Sequence, residues 1–329
     1  MIVSRTPFRI TLGGGGTDLP SYYEKFGGFI FSFCLSKYMY VCVNQPSADD
    51  LIRLKYSKSE IVKSPKELDH DIARACLERV GISSKIEIAS LSDIPAGSGL
   101  GSSSTYTVGL LNALYTMKGE HKNLEFLANE ACIIEMDILN KPMGKQDQYL
   151  AALGGFVVMD IDKNGKVKSK KISIEKSILN DLNRNLLIFF TGQQRKNNKI
   201  LKAQDDSTKK NKQQVIDSLH YIKESGYKIL EIIQSGNIDD LGIMFKEHWE
   251  MKKKLSSGVT NSEIDSIYNI AMDNSALGGK ISGAGGGGFF TFYCNKNHSK
   301  LRKAMTDIGL KELDYSFDFD GSKIISNHR

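Results

Sequence analysis

The sequence predicts an α+β protein of two domains, and three observations carry that expectation. At 329 residues the chain is long enough to build two cores. Short runs rich in β-branched and aromatic residues alternate with longer runs of helical period. Three glycine-rich loops each lie against a strand-like run: GGGGTD at 13–18, PAGSGLGSSS at 95–104 and KISGAGGGG at 280–288.

Taken in order, residues 8–12 read as a strand entering the first glycine loop, and 29–32 and 38–44 as two further strands. Residues 85–90 alternate apolar with polar, as a half-buried strand does. A helix follows over 102–117, with Val108, Leu111 and Leu114 or Tyr115 on one face and serines at its start. Asn123 can cap the next helix, whose Leu124, Leu127, Ala128, Ala131, Ile134 and Ile138 recur at helical spacing until Asn140 and Pro142 end it. Residues 154–161 and 167–174 read as strands joined by the turn DKNG at 162–165. A boundary is expected near residue 180, giving domains 1–180 and 181–329. The second half reads as a buried strand at 186–190, polar helices to about 255, a helix near 262–272, a strand at 289–294, a helix at 298–308 and a last strand at 313–319.

Composition narrows the function classes. The longest uninterrupted apolar run, 186–190, is far too short to cross a bilayer, and the start MIVSRTPFRI has no signal-peptide core. Five scattered cysteines without a CxxC pair point to a reduced, cytoplasmic setting, and six histidines without ligand spacing speak against structural zinc. The net charge of +6 gathers in 163–176 and 195–212. These runs read as solvated faces, and with no aromatic interleaving or nucleic-acid signature, neither nucleic acid nor membrane is expected as a partner.

The segment 95–104 has the composition of a phosphate cradle. Glycines let the backbone bring N–H groups against an anion, and the following helix aims its unsatisfied N–H groups at the same place. Three such loops suggest convergence on one polyanionic ligand. No GxxxxGK[ST] is present. Gly283, Gly285 and Gly288 fit GxGxxG by spacing but run into a strand-like segment where a dinucleotide fold needs a helix. Protein-kinase HRD and DFG signatures are absent too.

In order and spacing, the three loops resemble those of the GHMP small-molecule kinase superfamily, nearly end to end. TPFRITLGGGGTD is similar to its N-terminal substrate motif, PAGSGLGSSS to its ATP-phosphate loop and SGAGGGG to its C-terminal glycine loop. The form GGGGTDLP is closest to the bacterial kinases of D-glycero-D-manno-heptose 7-phosphate. The resemblance implies a ribosomal-S5-domain-2-like N-terminal domain, a ferredoxin-like C-terminal domain, and ATP in the cleft between them. It also implies an ATP- and Mg²⁺-dependent sugar 1-kinase acting on that heptose phosphate, monomeric or homodimeric, in the route to nucleotide-activated heptose for surface polysaccharide. The alternatives are another anomeric sugar kinase, fucokinase- or galactokinase-like, and a non-catalytic sugar sensor of the same fold.

The resemblance carries roles to particular residues. Pro95, Gly97, Ser98, Gly99, Leu100, Gly101, Ser102, Ser103 and Ser104 match the ATP loop, with Ser103 at the metal-binding serine. Glu135, placed on or beside the apolar stripe of its helix, is the second Mg²⁺ candidate; one glutamate and one serine suffice because phosphates and water complete the shell. Asp147, in GKQDQY, matches the aspartate that faces the acceptor hydroxyl and can take its proton. Arg9 matches the arginine beside it. Asp18 matches the motif aspartate that receives sugar hydroxyls, with Thr17 as a neighbouring contact. Gly15 and Gly16 stand where galactokinases carry Glu-His, which opens space for a bulkier sugar. Gly285 and Gly286 are expected at the substrate, and Arg195, just past the strand 186–190, is the candidate for a distal phosphate.

Overall fold

The computed structural model describes residues 1–193 and 199–328. Two sheets organise it. The first is nine-stranded and is built around the antiparallel pair Ile2–Gly13 and Gly28–Asn44. The expected strands 29–32 and 38–44 are one continuous strand, because residues 33–35 keep pairing with the first strand across a register shift at Pro7/Phe8. On its other side this long strand pairs with Phe156–Ile161 near its start and with Ile86–Ser92 near its end.

The helix Ser102–Met117 lies on this sheet, with Val108, Leu111 and Leu114 fully buried. Gly109 sets how close it comes: a β-carbon there would stand 2.8 Å from Thr6 Oγ1, and its carbonyl accepts from Ser4 Oγ at 2.7 Å. Asn123 caps the next helix, Leu124–Cys132, by accepting from the Phe126 amide at 2.7 Å. The α-helical pattern expected to reach Asn140 stops at Cys132 and continues as a π-turn over Ile133–Ile138, which carries Glu135 inward.

The helix Gln146–Leu153 has no counterpart in the sequence reading. Gln148 to Leu153 are all buried, so the segment shows no polar face from which a period could be read. Asp147 therefore sits in the first turn of a helix that the sequence does not announce.

The second sheet has four strands, ordered Lys311–Glu312, Leu186–Phe190, Phe289–Tyr293, Gly278–Ile281. Its core includes Trp249, wholly buried, edge-on to Phe290 at 5.8 Å. The expected last strand at 313–319 is divided. Lys311–Glu312 pairs in the second sheet, whereas Phe317–Asp318 and Lys323–Asn327 pair with the first. The end of the chain thus returns to the sheet built from its first half.

Glycines stand at two close approaches between the lobes. A β-carbon on Gly13 would stand 2.4 Å from Gly226 Cα, and one on Gly288 would stand 2.0 Å from Ser98 O. Gly288 also has φ +99°. These contacts bring the third glycine loop against the second and hold a cleft open beside them.

Candidate active site

The cleft has a volume of about 440 Å³ and is lined by residues from all three glycine loops. In the second loop Gly97, Gly99 and Gly101 have φ of +74°, +86° and +86°, conformations that a β-carbon would strain. Leu100 between them is fully buried and pins the loop to the core. Gly101 caps the helix Ser102–Met117 without a side-chain bond, which leaves its first N–H groups turned toward the cleft. The hydroxyl of Ser102 is buried with no hydrogen-bond partner among the described residues, as is that of Ser98, which lies outside the cleft lining. A cradle of left-handed glycines with an orphaned hydroxyl fits a phosphate chain. Pro95 is exposed and outside the lining, so it shapes the approach to the loop only.

Glu135 is wholly buried, accepts from Ser103 Oγ, and holds Gln148 Nε2 at 2.8 Å on its other oxygen. Burial pushes its carboxyl pKa up, against the opposing pull of those hydrogen bonds. Hard oxygen donors on a serine and a glutamate suit Mg²⁺ better than a softer metal. Among the described residues no group of three or more His, Cys, Asp and Glu could hold a metal by protein ligands alone.

Arg9 is nearly inaccessible, at 3% exposure, and joins the loop to the acceptor side. Its Nε and Nη2 reach Asp147 Oδ1 at 2.8 and 2.6 Å, and its Nη1 donates to the Gly99 carbonyl at 2.8 Å. With Oδ1 engaged, Asp147 Oδ2 faces the phosphate loop: a β-carbon on Gly101 would stand 3.2 Å from it.

Asp18 follows along the same floor. Its Oδ2 accepts from the Gln146 amide at 3.0 Å, and its Oδ1 from Gln146 Nε2 at 3.1 Å and the Gly16 amide at 3.2 Å. Burial raises its pKa, and the nearby Asp147 charge adds to the shift. Gln146, itself held by Thr11 Oγ1 at 2.6 Å, is a site residue that sequence reasoning missed although it adjoins Asp147.

Several expected contacts fall elsewhere. Thr17 is buried away from the cleft, its Oγ1 2.8 and 2.9 Å from the carbonyls of Gly14 and Phe29, so it ties the loop to the sheet. Gly15 and Gly16 do line the cleft. From the third loop the lining residues are Lys280, Ile281, Ser282, Gly283 and Ala284. Gly285 and Gly286 pack instead against Val259 and Gly258, with the Gly286 amide donating to Val259 O at 2.8 Å. Arg195 lies outside the described residues. The second lobe adds His248 and Lys252, which the sequence reading did not single out, and Lys280, read there only as the start of the third loop. Among the described residues no helix is long and apolar enough to cross a membrane.

The family model for the N-terminal domain of GHMP kinases matches residues 65–155, and the model for their C-terminal domain matches 229–309. The chain is 30% identical to a D-glycero-alpha-D-manno-heptose 7-phosphate kinase from Campylobacter jejuni, covering 98% of each chain. It is 27% identical to an L-fucokinase/L-fucose-1-P guanylyltransferase from Bacteroides fragilis, over 93% of this chain and 36% of that one. Among solved structures, a D-glycero-D-manno-heptose 1-phosphate kinase from Bacteroides thetaiotaomicron superposes with a TM-score of 0.83 at 24% identity, covering 100% of both chains. A putative sugar kinase from Campylobacter jejuni superposes with a TM-score of 0.79 at 28% identity, over 98% of this chain and 97% of that one. With its two-domain fold, its three converging glycine loops and these matches, the chain belongs to the GHMP kinases and is a phosphotransferase with an alcohol group as acceptor.

Proposed function

We propose that the chain transfers the γ-phosphoryl group of ATP to the anomeric hydroxyl of D-glycero-D-manno-heptose 7-phosphate, giving the 1,7-bisphosphate and ADP. The observation that carries this reading is the position of Asp147 Oδ2, free of Arg9 and facing Gly101 of the phosphate loop. A hydroxyl seated there is within reach of both a proton acceptor and a phosphoryl group. The relative from Campylobacter jejuni, matched over nearly its whole length, supports the heptose phosphate as substrate.

In this mechanism the loop 97–104 and the start of its helix bind the phosphates of ATP, and Ser103 with Glu135 would hold Mg²⁺. The ion, when bound, offsets phosphate charge during transfer. Asp18, oriented by Gln146, receives sugar hydroxyls and sets the ring so that the anomeric oxygen points at Asp147. As that oxygen bonds to the γ-phosphorus and the β–γ bridge breaks, Asp147 Oδ2 takes the hydroxyl proton. Arg9 holds Oδ1 and the Gly99 carbonyl together, which fixes the acceptor relative to the loop. The open floor at Gly15 and Gly16 leaves room for a seven-carbon sugar.

The reading is tested by measuring ATP consumption against a panel of free sugars and sugar phosphates. Heptose 7-phosphate should give the highest kcat/KM. Preference for fucose or galactose would replace the substrate while keeping the reaction, and no turnover with any sugar would favour a non-catalytic sugar sensor.

A further inference from the structure

The cleft is also lined by three basic residues that the mechanism above leaves unused. They are His248 and Lys252, four residues apart on the helix Leu241–Lys253, and Lys280 on the strand Gly278–Ile281. Lys280 is 4% exposed; its ammonium donates to the Leu12 carbonyl and lies 5.0 Å from the centroid of the Phe245 ring. Among the described residues no carboxylate pairs with it, and the charge that acts on it is the like charge of Lys252. Lys252 donates to the carbonyls of Ile281 and Gly283, each at 2.6 Å, which holds its ammonium at the cleft. Burial, then that neighbour, pushes the Lys280 pKa well below the ordinary lysine value. His248 is likewise pushed well down, first by burial and then by both lysines.

A second feature points into the same space. Gln204 lines the cleft at 3% exposure, and its Nε2 has no hydrogen-bond partner among the described residues. A β-carbon on Gly16 would stand 2.7 Å from that nitrogen. Contacts therefore run from Gly101 to Asp147, then through Gln146 and Asp18 to Gly16 and Gln204. Lys280 meets the same side of the cleft, because the Leu12 carbonyl it donates to adjoins Thr11, whose hydroxyl holds Gln146. A sugar with its reacting hydroxyl at Asp147 and its ring at Asp18 would extend toward Gln204 and these lysines. A buried Lys280 with no carboxylate beside it among the described residues and an orphaned amide donor on the same cleft suit an anion with several acceptor oxygens, whose charge would favour the ammonium form of Lys280.

We propose that Lys252, Lys280 and Gln204 bind a phosphate monoester carried by the sugar at the end remote from the accepting hydroxyl. This rests on the sugar-phosphate reading above. It assigns the selection of a phosphorylated sugar to the second lobe.

The test uses Lys252→Met and the milder Gln204→Leu, each checked for folding by circular dichroism. Either variant should raise the KM for heptose 7-phosphate, relative to that for unphosphorylated heptose, by about ten-fold or more, the scale of a lost charge-assisted bond. An equal loss with both sugars, no loss in either variant, or a matching rise in the KM for ATP would overturn the assignment, the last by giving these groups to the nucleotide. Binding of inorganic phosphate to protein saturated with Mg²⁺ and a non-hydrolysable ATP analogue provides a readout that needs no turnover. Phosphate binding that both variants abolish supports the site even if no sugar phosphate is a substrate, in which case the functional reading alone fails. Phosphate binding unchanged in both variants overturns the site whatever the substrate is.

Discussion

Asp147→Asn separates the proton-accepting role of this side chain from its structural one. The asparagine keeps an oxygen where Asp147 Oδ1 accepts from Arg9 Nε and Nη2, at 2.8 and 2.6 Å, so the connection from the acceptor side to the Gly99 carbonyl survives. It removes the charge that balances a guanidinium with 3% exposure. Deleting one partner of a fully buried ion pair costs about 3–5 kcal/mol. Asp147 retains 18% side-chain exposure toward the cleft and asparagine retains the acceptor, so the loss of stability should be smaller, about 1–3 kcal/mol. The chemical step should suffer more: a general base contributes roughly 10²- to 10⁴-fold, or about 3–5 kcal/mol of barrier. Steady-state kinetics should show kcat falling by that factor. Calorimetric titration with sugar phosphate and with a non-hydrolysable ATP analogue should show binding close to wild type. A folded variant with kcat within about three-fold of wild type would refute the argument, because positioning and charge neutralisation alone would then carry the step.

Three further outcomes follow from the same geometry. Glu135→Gln should keep the fold and raise the Mg²⁺ concentration needed for half-maximal activity; an unchanged Mg²⁺ dependence in a folded variant would remove Glu135 from the metal site. Glu135 also has a pH signature. Its folded pKa lies above the ordinary 4.5, so its contribution to stability is full below that value and is lost as pH rises through the raised one. Denaturation from about pH 4 to 8 should show wild type losing stability relative to Glu135→Gln as pH rises, and a difference that grows in the opposite direction contradicts the buried carboxyl. Gly144→Ala would place a β-carbon 2.0 Å from Asp18 Oδ2, so it should raise the KM for the sugar by about ten-fold with little change for ATP; an increase confined to ATP would contradict the placement of Asp18 on the sugar.

Much of the fold was legible because local signals and tertiary structure agree. The helix Ser102–Met117 carries its period openly, the Asn123 cap announces the next helix, and Leu186–Phe190 is an unbroken apolar run. Where burial surrounds an element the period vanishes, which is why Gln146–Leu153 read as an approach to a strand. The π-turn at Ile133–Ile138 leaves no mark in residue type, and the return of Lys323–Asn327 to the first sheet is a long-range pairing that no local pattern encodes. In the cleft, glycine spacing marked the loop 97–104, and the family resemblance marked Arg9, Asp18, Glu135 and Asp147. Lys252 went unnoticed for a different reason: it adjoins Lys253 and Lys254 at the end of a polar helix, and only the fold turns it toward the cleft. Gly285, Gly286 and Thr17 show the converse, since small residues in a motif also serve to let backbone segments pack.

The central claim is a phosphoryl transfer to the anomeric oxygen of a heptose 7-phosphate, and phosphorus NMR of the purified product tests it most directly. The account predicts a second phosphorus resonance, coupled to the anomeric proton, with the original signal at carbon 7 retained and one equivalent of ADP formed. A new phosphate coupled to any other ring position, or ATP consumed without a second sugar-bound phosphorus, would contradict it.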